Sequence, residues 1–314
     1  MRVLTISSSP TMVPANGVWY ATLAIILINT IWFAASDFTF EPKSLLGMLA
    51  VAVIVFLVAT IYTRWRPDPR VAAATGVTGF LIIFNAAAAL FSYLITSINL
   101  PLVDHLYAGF DASVGFSWTV WLHQVNAMPT FGWVLEMAYR TSLPQVLFAV
   151  LCLSVLGRLR NLSEFIDVYV WSLIVIIIIS GLFPSSGAFS HYAVPTDDYA
   201  NLTPFGGLVH MDHYFGLRDG SLRTITMANI QGLITFPSFH TTLAIITAWA
   251  LRDVRFINII AIALNGMVIL STPTHGGHYL ADVVGGAAVA VAVIWGRAWV
   301  MSLRASPAPN PQPV

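Results

Sequence analysis

Eight apolar stretches run through this chain, near residues 18–36, 44–63, 72–97, 138–157, 165–184, 238–252, 256–273 and 279–300. A hydrocarbon core of about 30 Å takes roughly 17 to 25 helical residues to cross. In lipid only a helix or a closed barrel satisfies its own backbone. The pattern therefore predicts an all-α, polytopic transmembrane helical bundle of about eight spans. Composition agrees, because 57% of the residues are hydrophobic and 9% charged, where a soluble domain carries about one quarter charged residues. The sixth and seventh stretches are short and polar, which suits helices sheltered inside a bundle.

Charge narrows the function. The 14 basic residues are balanced by 14 acidic ones and scattered, so no nucleic-acid surface is expected. Cys152 is the single cysteine, which excludes an intrachain disulfide and a thiolate metal cage. Arg64, Arg66 and Arg70, Arg158 and Arg160, Arg252 and Arg255, and Arg297 and Arg304 all fall on one side of an eight-span layout. By the positive-inside rule that side is the cytoplasm. Lys43, Arg140, Arg218 and Arg223 fall on the other side with the segments "TFPSFHTT" and "THGGHYLAD". The expected location is the plasma (inner) membrane, with the chemistry on the extracytoplasmic face. "IWFAAS" resembles the end of a signal peptide, but the apolar segment is long for a signal core, and an uncleaved helix is expected.

No internal repeat is visible. Residues 1–130 are expected to hold N-terminal helices and an interfacial amphipathic segment near 98–131, residues 131–302 a catalytic bundle, and residues 303–314 a disordered tail.

In "HYLAD", His278 and Asp282 stand four apart at the start of the last apolar run. On a helix that spacing shares one face, so the carboxylate can hold one imidazole nitrogen and leave the other as a lone pair. Such a histidine serves as nucleophile or base. In "FPSFHTT", Pro237 is expected in the first turn of the sixth helix, with Ser238, Phe239 and His240 at its N-terminus. Helix N-termini present free N–H groups and favour anions. Both helices start on one side, so two histidines and two anion-favouring ends should meet at one level. "GLRDGSLR" adds Arg218 and Arg223, whose guanidinium forks match phosphate oxygens. His275 is a further donor unless "HGG" is a solvated turn, and Asp212 between His210 and His213 lacks the further ligands a metal site needs. No HExxH or carboxylate cluster occurs, so neither a metal nor a cofactor is expected.

"PSFH", followed one helix later by Ser271-x6-His278-x3-Asp282, resembles the second and third motifs of the type 2 phosphatidic acid phosphatase superfamily, Pro-Ser-Gly-His and Ser-Arg-x5-His-x3-Asp. The resemblance covers roughly residues 135–300 and implies a six-helix catalytic core. It implies that His278 takes the phosphoryl group, Asp282 orients it, His240 protonates the leaving oxygen, and Ser238 with the Phe239 N–H holds phosphate. Phe239 replaces the family's glycine, Thr272 stands where its arginine belongs, and the Lys-x6-Arg-Pro first motif is missing. Another cation must then serve, and Arg218 and Arg223 are the candidates. The looser pattern looks closest to the inositol phosphorylceramide synthase branch, which transfers a phosphorylated headgroup to a lipid alcohol. The expected substrate is a lipid phosphate or phospholipid, with an alcohol as a possible acceptor. Hydrolysis of a lipid phosphate or polyprenyl pyrophosphate is the alternative, and a proton-coupled transporter the second. One histidine starting neutral and the other protonated predicts a bell-shaped rate profile between about pH 5 and 8.

Overall fold

The computed structural model describes residues 14–305. Of the expected disordered tail at 303–314, residues 303–305 continue the last helix, which ends at Ala305, and residues 306–314 lie outside the described residues. The chain forms α1 (Asn16–Ala34), α2 (Pro42–Arg64), α3 (Pro69–Thr96), α4 (Asp104–Ser113), α5 (Trp118–Asn126), α6 (Pro129–Val155) and α7 (Leu159–Leu182). After these come the short helices α8 (Ala188–Tyr192), α9 (Phe205–Leu208) and α10 (Met211–Asp219), then α11 (Phe239–Ala250), α12 (Arg255–His275) and α13 (Leu280–Ala305). Two-residue strands, β1 (Thr39–Phe40) and β2 (Thr224–Ile225), pair in parallel. The expected all-α polytopic bundle is what forms.

Local chemistry sets many of the starts. Pro42, Pro69 and Pro129 open α2, α3 and α6, where a missing N–H costs nothing. Asp68 caps α3 and Ser238 caps α11. Pro273 sits inside α12 and leaves the Ile269 carbonyl without its helical donor. The Thr272 hydroxyl fills that gap at 2.8 Å.

Seven helices, α1, α2, α3, α6, α7, α12 and α13, are long and apolar enough to cross a membrane. The eight-span expectation is corrected at its sixth member. Helix α11 has 12 residues, about 18 Å at the helical rise of roughly 1.5 Å per residue. Residues 230–238 run non-helical into it, with Leu233, Thr235 and Ser238 buried among other elements. Non-helical backbone is tolerated at membrane depth only where protein covers it. Pro237 precedes the cap and lies outside the first turn, because Ser238 takes the cap position.

Helix α11 sits at the centre, against α6, α7, α12 and α13. One continuous apolar core joins Phe80, Phe84, Phe165, Leu243 and Ile246 from α3, α7 and α11. Helix α2 covers α3 from outside, and only 11% of its apolar window is buried against 61% for α3. One group of arginines gathers at one end. Glu164 accepts from Arg160 at 3.0 Å, pairs with Arg252 and lies 3.5 Å from Arg297, while Arg70 lies beside Gly157. The connections α2–α3, α6–α7 and α11–α12 and the end of α13 therefore share that end. The starts of α11 and α13 share the other.

Candidate active site

The site is assembled at the starts of α11 and α13. His278 Nδ1 lies 3.2 Å from Asp282 Oδ2. A carboxylate can only accept, so Nδ1 carries the proton and Nε2 keeps its lone pair. The same Oδ2 accepts the Tyr279 N–H at 2.9 Å, while Oδ1 is buried and unpartnered. His278 is 3% exposed and Asp282 fully buried. Burial pushes the His278 pKa down to about 4, outweighing a backbone contact from Thr235. Neutral His278 is therefore the resting form.

Two glycines make the approach possible. A Cβ on Gly276 would sit 2.6 Å from Cδ2 and 3.2 Å from Nε2 of His278, so the residue keeps clear the face that carries the lone pair. Gly277 adopts φ +68 and packs on Gly207, a backbone conformation that other residues rarely take. The two glycines thus provide ring clearance and a tight turn.

His240 stands opposite. Its ring centroid is 6.4 Å from that of His278 and tilted by 57°, a separation that a tetrahedral phosphoryl group can bridge. Tyr139 of α6 stacks on His240 at 4.3 Å and places its hydroxyl 3.3 Å from Nδ1. Ser238 is fully buried; its Oγ accepts the Thr241 N–H at 3.3 Å and its N–H donates to the Asp282 carbonyl at 2.9 Å. The side chain thus caps α11. The N–H groups of Phe239 and His240 face no acceptor among the described residues.

The other expected residues separate. His275 is 1% exposed, with Nδ1 3.0 Å from Thr274 Oγ1 and Nε2 unpartnered; the solvated-turn alternative for "HGG" is corrected by this burial. Arg218 is half-buried, donates to the Leu100 carbonyl at 2.7 Å and lies over Tyr214. It lines a small cavity with Ser185, Thr235 and Phe236, and Thr235 adjoins His278. Arg223 is exposed and stacks over Phe38 beside the β1–β2 ribbon. Its contacts lead to the α1–α2 connection. No group of three metal-ligating residues occurs among the described residues.

Sequence reasoning missed the contribution of α4 and α5. Asp104 is buried and accepts from Ser185 Oγ at 2.7 Å, from the Ser186 and Gly187 N–H groups at 3.1 Å, and from the Tyr279 hydroxyl at 3.1 Å. Asp111 accepts the Leu280 and Ala281 N–H groups at 3.0 and 2.9 Å, closing the start of α13. Trp118 Nε1 donates to the Pro273 carbonyl at 3.0 Å. The signal was present, since Asp104 and Asp111 are seven apart and share one helix face. Asp212 is exposed and His213 bonds the Tyr93 hydroxyl at 2.7 Å, whereas His210 is buried near His278.

These observations define an integral membrane bundle with two facing histidines, His278 buried and His240 half-buried, at the helix ends opposite its arginine cluster. Residues 106–296 match the PAP2 superfamily. The chain belongs to that superfamily, whose members are phosphatases, and the expected superfamily resemblance is thereby shown. The match takes in α4 and α5 along with the helical core. No curated protein and no solved structure matches the chain.

Proposed function

We propose that the protein transfers the phosphoryl group of a membrane lipid phosphate through a phosphohistidine on His278, and that the acceptor is an alcohol. The observation that carries this reading is the opposition of His278, oriented by Asp282, and His240, stacked on Tyr139, with 6.4 Å between the rings. In the opening step the His278 Nε2 lone pair attacks phosphorus, the bond to the leaving oxygen breaks, and His240 delivers a proton to that oxygen. A phosphate dianion between the rings favours the protonated form of His240, so the substrate itself helps to supply the acid. In the closing step the acceptor oxygen attacks phosphorus, the N–P bond breaks, and His240 takes the acceptor's proton. The Phe239 and His240 N–H groups hold equatorial oxygens, and Arg218 supplies the nearby positive charge.

Transfer is favoured over hydrolysis by the cover on His278. A 3% exposed nucleophile under the 205–210 loop shields its covalent intermediate from bulk water. This is the respect in which the inositol phosphorylceramide synthase branch remains the closest reading. The transporter reading has no support, because the polar groups lie at one end of the bundle and a transport site lies near its middle. With the arginine end in the cytoplasm, the site opens on the extracytoplasmic face of the plasma (inner) membrane.

The test is purified protein in detergent with labelled phosphatidic acid, polyprenyl phosphate and phospholipids, with and without alcohols. Free phosphate and new phosphodiester or phosphomonoester are followed together. A new phospholipid with little free phosphate is expected; phosphate release that no alcohol diverts would establish hydrolysis, and no product from any donor would refute both.

A further inference from the structure

The two facing histidines have partners of different chemistry. His278 Nδ1 meets a carboxylate oxygen of Asp282 at 3.2 Å. His240 Nδ1 meets a phenol, the Tyr139 hydroxyl at 3.3 Å, and no carboxylate bonds its ring among the described residues. Tyr139 belongs to neither motif that carries the superfamily resemblance, yet it is built firmly into the site. It is 7% exposed, and its ring lies on the imidazole with 4.3 Å between centroids and 22° between planes. His275 of α12 lies 6.5 Å from the same ring. Gly206 of α9 lies directly against the hydroxyl, so a Cβ at that position would collide with it.

The difference in partner matches a difference in proton traffic. In the proposed reaction His278 keeps its Nδ1 proton throughout, while Nε2 forms and breaks the bond to phosphorus. A carboxylate suits that task, because it only accepts and its charge makes the ring more basic. His240 gives up its Nε2 proton in the opening step and takes one back in the closing step. A carboxylate at its Nδ1 would hold the imidazolium and weaken it as an acid. An uncharged phenol oxygen accepts the Nδ1–H without that penalty, and the same hydroxyl donates to Nδ1 when the nitrogen is bare.

We propose that Tyr139 is the positioning residue of the acid: its ring fixes the plane of His240, and its hydroxyl engages Nδ1. The Nε2–H, across the imidazole, is thereby left for the leaving oxygen with no carboxylate to hold back its proton. The assignment rests on the phosphoryl-transfer reading, and its failure is distinguishable from the failure of that reading.

An acid matters for a leaving alkoxide and little for a leaving group of low pKa. With purified protein, kcat/KM is therefore measured for phosphatidic acid and for 4-nitrophenyl phosphate, and the ratio of the two is the readout. Removal of the acid itself, in His240→Ala, sets the scale and should lower the ratio at least about 30-fold. Tyr139→Leu removes stack and hydroxyl together and should lower it at least about tenfold. Tyr139→Phe keeps the stack, and Gly206→Ala presses on the hydroxyl from outside; each should lower the ratio at least about threefold. Where Tyr139→Leu does not fold, Tyr139→Phe and Gly206→Ala decide. A wild-type ratio in the folded Tyr139 variants, even with slower turnover on both substrates, makes Tyr139 a packing residue and overturns the assignment. That outcome leaves the phosphoryl-transfer reading intact if His240→Ala still lowers the ratio. An unchanged ratio in His240→Ala, or no product from either substrate with wild-type protein, refutes that reading, and this assignment falls with it.

Discussion

Helices α11 and α13 begin side by side, yet their N-termini are used in opposite ways. The start of α13 is filled from within the chain: Asp111 takes the Leu280 and Ala281 N–H groups, and Asp282 takes that of Tyr279. The start of α11 has only the neutral Ser238 hydroxyl, which takes the Thr241 N–H. Every helix start presents orphan donors and a partial positive charge. Carboxylates at one start make it an anchor for α4, while the uncharged cap at the other leaves the N–H groups of Phe239 and His240 open, where a phosphate is proposed.

The largest effect should come from the residue that stands between the two ends. His278→Ala is expected to lower turnover by about 10³-fold or more and to abolish labelling of the protein by a radioactive lipid phosphate, trapped in alkaline detergent where a phosphohistidine survives. Residual labelling would move the nucleophile elsewhere. Asp282→Asn should cost about 10²- to 10⁴-fold, because a neutral amide no longer fixes the His278 tautomer. In that variant the acid limb of kcat/KM should shift as well, and an unmoved limb would detach it from His278.

Filling the open end should convert it into a copy of the other. Ser238→Asp keeps a capping oxygen and adds negative charge where phosphate is proposed to sit. The vanadate inhibition constant should rise at least about tenfold, the fold-change of roughly 1.4 kcal/mol, and unchanged inhibition would place the anion elsewhere. Emptying the filled end should act on stability. Asp111→Ala strands two buried N–H groups and is expected to cost about 2–4 kcal/mol, read as a lower unfolding midpoint in detergent, with a smaller loss of phosphoryl transfer than Ser238→Asp shows.

The smallest effect concerns pH. Burial raises the Asp111 pKa, outweighing the N–H groups of Leu280 and Ala281. The folded state then holds this proton at a pH where the unfolded chain has released it. The sign follows: Asp111 makes stability fall as pH rises from the ordinary carboxylate range through its raised folded value. Asp111→Asn should flatten the midpoint-versus-pH curve across that window, and an unchanged slope would assign it to other carboxyls.

Much of the site was legible because its chemistry is local. His278 and Asp282 are one helical turn apart, and Ser238 and His240 flank one helix start. The bundle was legible because apolar length is a one-dimensional property; of the two stretches expected to be short, the sixth became the 12-residue α11 and the seventh the 21-residue α12. The support was less visible. Asp104 reaches residues 81 to 175 positions away, and Tyr139 meets His240 across 101 positions. Arg218 and Arg223 look equivalent in "GLRDGSLR", yet one lines a cavity with Thr235 and the other stacks on Phe38.

The sequence alone determined that this chain is a membrane bundle and that His278 and Asp282 lie together at one helix start. Hydrophobic length and helical periodicity act within a few turns and need no knowledge of neighbours. Tertiary structure decided which helix start is closed by Asp111 and which is left open. Those outcomes depend on desolvation and on partners brought together only by packing, and no local pattern encodes them.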